Sequence, residues 1–99
     1  GYTSCVMLPA VLEWNKTEFK ERQTSIAYAI GRPKLTAGIA VKSLVEALGL
    51  PSSLQQVGGK EEQLDEIAER AIKHPVVRKN PRKLETKEQV REILNLAWT

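Results

Sequence analysis

The sequence is poor in the residues that build disulfides, zinc sites and membrane spans. Among its 99 residues there are one cysteine, one histidine and only 5% aromatic residues. Because Cys5 stands alone, the chain has neither an internal disulfide framework nor a thiolate zinc site of its own. The longest apolar run is far shorter than the roughly 20 residues that span a bilayer. We therefore expect neither a disulfide-stabilised protein nor a membrane protein.

An excess of charge of one sign is also missing. Fifteen Lys and Arg against 12 Asp and Glu leave a net charge of +3, which by itself is too small to indicate nucleic-acid binding, and we expect no nucleic-acid partner. The hydrophobic content of 41% is ordinary for a globular protein. A chain of 99 residues is one small domain or part of a larger one.

The chain shows neither an initiating methionine nor a secretion signal. It begins with Gly1, and its only methionine is Met7. No basic segment followed by a long apolar segment marks a signal peptide. Apolar sequence follows almost directly after Gly1, so we expect this chain to be a piece of a longer, cytoplasmic protein.

Helical periodicity runs through almost the whole sequence. The clearest apolar stripe lies near the end and is formed by Val90, Ile93, Leu94, Ala97 and Trp98. Thr86 and Gln89 stand three residues apart just before it, which predicts a capping box with Thr86 as the N-cap. A second stripe predicts a helix over about 60–74 that ends before Pro75, with acidic residues in its first turns and basic ones in its last.

Three further segments are predicted as helices. Apolar residues occupy most of the circumference of 35–48, which predicts a central helix covered on several sides and closed by Gly49. Segment 18–30 is predicted to start at a cap on Asn15 or Thr17 and to bury Phe19, Ile26, Ala27 and Ile30. Segment 2–14 is predicted as a helix that Pro9 either kinks or starts late. The predicted fold is all-α, with about five to six helices and short connections.

The residues with potential chemistry favour structural interpretations. His74 lies at the predicted C-terminal end of a helix, where an imidazole complements the helix dipole. One histidine without a motif-placed pair of carboxylates cannot assemble a metal site of three protein ligands. Cys5 is predicted to be a buried, inert thiol, and the acidic residues within 61–69 a solvated surface.

One basic cluster, at 78–83, leaves two alternatives open. It is either a solvated linker or a loop that binds an anion or phosphate, since the forked guanidinium of arginine matches an oxyanion. No glycine-rich phosphate loop accompanies it, and Gly58-Gly59 has the wrong spacing for a dinucleotide fingerprint. The residues alone therefore indicate a helical module without its own catalytic apparatus.

Several short motifs, taken in order, resemble the C-terminal helical domain of the iron-containing alcohol dehydrogenases, a group that includes maleylacetate reductases. Together they cover nearly the whole chain: Leu8-Pro9 with Val11 and Asn15, 44–48 leading into Gly49-Leu50-Pro51, the Asn80-Pro81-Arg82 loop, Thr86, and the closing 93–98. The resemblance implies a partner domain in the same protein, an N-terminal α/β domain that binds NAD or NADP.

The resemblance also implies a divalent metal, iron or zinc, in the cleft between the two domains. Such a metal polarises the substrate oxygen while hydride passes to or from the nicotinamide. Many members have a His-Gly pair just before a stretch like 2–9, and this histidine is a metal ligand; here the chain begins with the glycine, Gly1. Where many members have a second histidine after Leu-Pro, this chain has Ala10. We therefore expect no catalytic, cofactor or metal ligands on this chain.

For the substrate site, the resemblance implies that the loop before Asn80 approaches the active-site cleft. Val76, Val77 and Asn80 are accordingly the candidate lining of the substrate pocket, and Arg82 is expected to tie the loop to a helix terminus. The expected function is that of a C-terminal domain fragment, 1–99, of an NAD(P)-dependent dehydrogenase or oxoacid reductase that acts on a small alcohol or carbonyl substrate. On its own it would be inactive, with self-association through an apolar patch near 2–14. The alternative is a free-standing interaction module that uses the basic loop at 78–83.

Overall fold

The computed structural model describes residues 3–99, and it describes the side chains of all of these except 3, 4, 76 and 78. Within this range the chain is helical and contains no strand, which confirms the all-α prediction. In chain order the helices are α1 (Thr3–Trp14), α2 (Lys20–Ile30), α3 (Ala37–Ala47), α4 (Leu64–Ala71), α5 (Pro75–Arg78) and α6 (Lys87–Trp98), with a 3₁₀ turn (Glu61–Gln63) before α4.

The main core lies between α1, α4 and α6. Apolar residues at helical spacing meet there, and the buried ones include Val6, Ala10 and Trp14 of α1, Leu64 and Ala68 of α4, and Val90, Ile93, Leu94 and Ala97 of α6. The predicted stripe of α6 is therefore confirmed, apart from Trp98, which is only partly buried. The capping box is confirmed as well, because the Thr86 hydroxyl accepts from the Gln89 N–H and the Gln89 side chain accepts from the Thr86 N–H.

Helix α3 packs directly against α1, and α2 packs against α3. Gly38 of α3 allows α1 and α3 to approach closely. A Cβ atom built on Gly38 would lie 2.6 Å from the Pro9 carbonyl oxygen and 2.8 Å from Cγ of Glu13, both in α1. Thr36 caps α3 by accepting from the Ile39 N–H, and its hydroxyl is also hydrogen-bonded to the Glu13 carboxylate. Helix α1 is thus the central helix of the fold.

Three predictions about α2 and α3 are wrong. Helix α3 is not covered on several sides, because Ile39, Leu44 and Leu48 are 48%, 43% and 65% exposed. Phe19 is not buried but 61% exposed. It takes a left-handed backbone conformation, with φ of 50°, at the N-cap of α2, so the helix starts at Lys20 without a side-chain cap from Asn15 or Thr17.

The helix predicted over 60–74 is shorter than expected. Helix α4 ends at Ala71, and Pro75 opens the next short helix instead of stopping this one. Proline suits the first position of a helix, where its missing N–H would have no intrahelical acceptor. Helix α1 begins at Thr3 and continues through Pro9, so proline does not delay its start. The close of α3 at Gly49 is confirmed, with φ of 74° and a bond from the Leu50 N–H to the Val45 carbonyl at 3.1 Å.

Candidate functional site

An apolar cleft of about 480 Å³ opens between α1, α4, α5 and α6. Its partly exposed lining consists of Met7, Val11, Leu54, Ala71, Val77 and Asn80, together with the exposed Ile67. The buried core residues Leu84, Val90, Ile93 and Leu94 also contact it. Asn80 is the only polar side chain among these residues, and none of them is ionisable. The cleft therefore suits an uncharged, largely apolar group.

The structure places two of the three predicted pocket residues on this lining. Val77, in α5, also packs against the main core, and Asn80 follows α5. The side chain of Val76 lies outside the described part of the chain. The assignment of Val76, Val77 and Asn80 to a substrate pocket stays a prediction.

Asn80 is joined to Asn15 by a pair of amide hydrogen bonds. The Asn15 Nδ2 donates to Asn80 Oδ1 at 3.0 Å, and the Asn80 Nδ2 donates to Asn15 Oδ1 at 2.6 Å. The Asn80 Nδ2 also donates to the Arg82 carbonyl at 2.7 Å, which uses its second hydrogen. Asn80 therefore has no free amide donor to offer a ligand in the cleft.

Arg82 and Trp14 make a second connection between the same two segments. The Arg82 guanidinium stacks 3.7 Å from the centre of the Trp14 ring, and its Nη1 donates to the Trp14 carbonyl at 3.1 Å. The indole Nε1 of Trp14, which is 3% exposed, donates to the Arg82 carbonyl at 3.2 Å. These contacts satisfy the indole N–H of Trp14 and one of the backbone carbonyls that have no intrahelical partner at the end of α1.

We call these four residues, Trp14, Asn15, Asn80 and Arg82, the clasp. The expected role of Arg82, tying the loop to a helix terminus, is what the structure gives it. The sequence indicates Asn15 only as a possible helix cap and as part of the family motif, and it predicts no role for Trp14. No local signal marks these pairings, because the partners lie 65 and 68 residues apart in the sequence.

The remaining candidate residues do not converge on a site. Cys5 is a free, partly buried thiol, and His74 is exposed between α4 and α5. The acidic residues at 61, 62, 65, 66 and 69 are exposed, as predicted. Among the residues that the structure describes, no three His, Cys, Asp or Glu side chains come together in a way that could hold a metal ion. Within residues 3–99, no helix combines the length and apolar character needed to span a bilayer.

Comparisons with known proteins agree with this architecture. The profile described as "Fe-containing alcohol dehydrogenase family, C-terminal" matches residues 1–98. The dehydrogenase ALT3 of Alternaria alternata is 35% identical over 98% of this chain and 30% of its own length. The dehydrogenase FUM7 of Gibberella moniliformis is 32% identical over 98% of this chain and 27% of its own.

A bacterial relative extends the comparison. Maleylacetate reductase 1 of Rhodococcus opacus is 32% identical over 97% of this chain and 26% of its own length. The chain thus spans between a quarter and a third of the curated relatives that it matches. No solved structure matches it significantly. Taken with the all-helical fold, the match over residues 1–98 establishes that the chain belongs to the Fe-containing alcohol dehydrogenase family and corresponds to its C-terminal domain.

Proposed function

We propose that this chain is the C-terminal helical domain of a larger, two-domain oxidoreductase that transfers hydride between NAD(P) and an alcohol or carbonyl substrate. The observation that carries the proposal is the family match over residues 1–98. Relatives named dehydrogenase and maleylacetate reductase support the reaction class. Because the chain spans only 26–30% of their length, we assign nucleotide binding to an N-terminal domain of the same protein.

The divalent metal that the family name implies does not fit the described residues of this chain. They provide no group of three potential ligands, so we assign the iron or zinc to residues outside them. The proposed contribution of this chain is the apolar cleft beside Val77 and Asn80. Its lining would exclude water from the substrate and hold the carbon skeleton by contact, since Asn80 has no free donor.

The exposed apolar residues of the chain provide a surface for the proposed N-terminal domain. Ile39 and Leu44 of α3, Leu48 at its C-cap and Leu8 of α1 are each more than 40% exposed. Complete burial of an exposed aliphatic side chain is worth roughly 1.5–3 kcal/mol, and because these residues are already about half buried, covering each one would contribute about half of that. The same surface would promote self-association of the isolated chain.

The proposal is tested by assaying the longer polypeptide beside the 99-residue chain. Consumption of NADH and NADPH is followed with a panel of aldehydes, ketones and oxo acids, and bound metal is measured by mass spectrometry. We expect the longer protein to bind a divalent metal and reduce at least one carbonyl compound, and the chain alone to do neither. An isolated chain that binds stoichiometric metal or oxidises NAD(P)H would contradict the assignment.

The assignment of Val77 to the substrate wall has its own test. Val77→Phe in the longer protein would project a larger side chain into the cleft, so we expect KM to rise about tenfold or more, which is roughly 1.4 kcal/mol of binding. Val57→Phe is the matched control, because Val57 is 42% exposed and does not line the cleft. Equal KM values for the two variants would show that the cleft wall does not contact substrate.

A further inference from the structure

The segment that forms one wall of the cleft has little structure of its own. Helix α5 has only four residues, and the backbone bonds around it include those from the Val77 N–H to the His74 carbonyl and from the Asn80 N–H to the Val77 carbonyl. One helical turn is not stable by itself in water, because nucleation costs more than a single turn returns. The position of residues 75–82 must therefore be fixed by contacts with the rest of the protein.

The clasp supplies such contacts on the side of the segment that faces the end of α1. Its four side chains make reciprocal hydrogen bonds: Asn15 and Asn80 exchange two, and Trp14 and Arg82 exchange one in each direction. The Arg82 N–H adds a bond to Asn15 Oδ1 at 3.3 Å. Asn80 belongs to both structures, since it lines the cleft and closes the clasp.

We propose that Asn15 and Arg82 are positioning residues of the proposed enzyme, which set the shape of the substrate cleft by holding residues 75–82 against the end of α1. The proposal rests on the proposed function. Neither residue lines the cleft, so each acts through Asn80 and the turn that carries Val77. Loosening the clasp should weaken substrate binding while leaving the chemical step intact.

The same geometry argues against an anion site at the basic loop. The Arg82 guanidinium lies over the Trp14 ring and donates from Nη1 to the Trp14 carbonyl. An oxyanion bound by the Arg82 fork would have to compete with both contacts. Lys79 and Lys83 are exposed cations in the same loop, which makes Lys83 a suitable control for the loss of charge alone.

The test uses Asn15→Ala, Arg82→Ala and the double variant in the longer protein. Arg82→Lys is added because it keeps the charge but loses the planar fork and the stack. Asn95→Ala and Lys83→Ala are the matched controls, because both residues are exposed and Asn95 accepts a hydrogen bond from Arg91 of its own helix. Steady-state kinetics with the best carbonyl substrate are combined with hydrogen–deuterium exchange over residues 75–82 and with thermal unfolding.

We expect each clasp variant, including Arg82→Lys, to raise KM about fivefold or more with kcat within about twofold of wild type. Hydrogen–deuterium exchange over residues 75–82 should accelerate in the clasp variants, and the two controls should behave as wild type. The KM of the double variant should be only slightly higher than that of either single variant, because both substitutions open the same clasp. Unchanged KM with a lowered melting temperature would show a purely structural role and overturn the proposal. So would a loss confined to kcat, or additive effects on KM.

Failure of the proposed function would be recognised separately. If the wild-type longer protein reduces no carbonyl compound, the oxidoreductase assignment fails, and with it the effect on substrate binding. Hydrogen–deuterium exchange then decides the positioning claim alone. Faster exchange limited to 75–82 in the clasp variants supports it, and exchange identical to wild type contradicts it.

Discussion

Replacing Gly38 by alanine should destabilise the protein, although glycine is ordinarily the poorer helix former. In a helix interior, alanine is favoured over glycine by about 1 kcal/mol, and Gly38, the second residue of α3, can gain at most this amount. At this position the added Cβ would lie 2.6 Å from the carbonyl oxygen of Pro9 and 3.0 Å from the backbone nitrogen of Glu13. Optimal carbon contacts are about 3.5–4.0 Å, so α1 and α3 must move apart.

The size of the destabilisation depends on whether the atoms that the new Cβ meets can move away. Both of these contacts are to backbone atoms of α1, and the third, at 2.8 Å, is to Cγ of Glu13. That side chain is held by its hydrogen bond to Thr36 and its ion pair with Lys16. Overpacking costs about 1–3 kcal/mol, and contacts this short belong at the upper end of that range. After the gain in helix propensity, we expect the free energy of unfolding to fall by about 2 kcal/mol.

Urea denaturation followed by circular dichroism measures this change. Ser43→Ala is the control in the same helix, where a half-buried serine is replaced, and we expect a change within about 0.5 kcal/mol. The denaturant slope should be the same for both variants and the wild type. If Gly38→Ala is as stable as the wild type or more stable, the close approach of α1 and α3 is wrong.

Three further substitutions test other parts of the fold. Thr86→Ala removes the side-chain half of the capping box, so we expect a loss of about 1 kcal/mol in urea denaturation, while Thr86→Ser retains most of it. Leu64 is 2% exposed, so Leu64→Ala leaves a cavity and should lower the free energy of unfolding by about 2–5 kcal/mol. Ile67 is 45% exposed in the same helix, and Ile67→Ala should lower it by less than half as much. Lys87 is paired with Asp65 at 3.2 Å, and this hydrogen bond and the carboxylate charge raise the pKa of Lys87 above its ordinary 10.5.

The sign of the pH effect follows from this raised pKa. The pair contributes its stability fully below pH 10.5 and loses it as the pH rises through the higher pKa of the folded state. Asp65→Asn should therefore unfold with a flatter pH dependence above this value than the wild type, when thermal unfolding is measured as a function of pH. A parallel pH dependence in the two proteins would show that the ion pair is not maintained in solution. For the other two substitutions, equal losses from Leu64→Ala and Ile67→Ala, or no loss from Thr86→Ala, would contradict the described packing.

The sequence predicted the helices best where all the residues of a pattern lie within one continuous segment. The α6 stripe and its Thr86 cap lie within one continuous segment, so periodicity and capping chemistry were sufficient. The burial of α3 was predicted wrongly because an apolar circumference does not reveal whether the chain itself covers the helix. Phe19 was predicted to be buried for a similar reason, since the left-handed backbone that turns it outward at the start of α2 has no signature in its spacing.

The candidate site depended on two different kinds of information. Val77 and Asn80 were proposed from a family resemblance, and the structure brings them to one cleft with residues of α1, α4 and α6. The clasp joins residues that are more than 60 positions apart, and no pattern in either segment specifies the other. Such pairings depend on how α1 packs against the rest of the fold, and the three-dimensional structure is needed to identify them.

Transfer of deuterium from labelled nicotinamide would show directly whether the longer protein moves hydride between cofactor and substrate. The longer protein that contains this chain is incubated with NAD(P)H carrying deuterium at the transferable position of the nicotinamide ring and with its best carbonyl substrate. Mass spectrometry then locates the label in the alcohol product. We expect deuterium on the carbinol carbon of the product, because hydride moves directly between cofactor and substrate. Hydride transfer would be contradicted if no alcohol formed. It would also be contradicted if the alcohol carried no label with either of the two cofactors that bear deuterium on opposite faces of the nicotinamide ring.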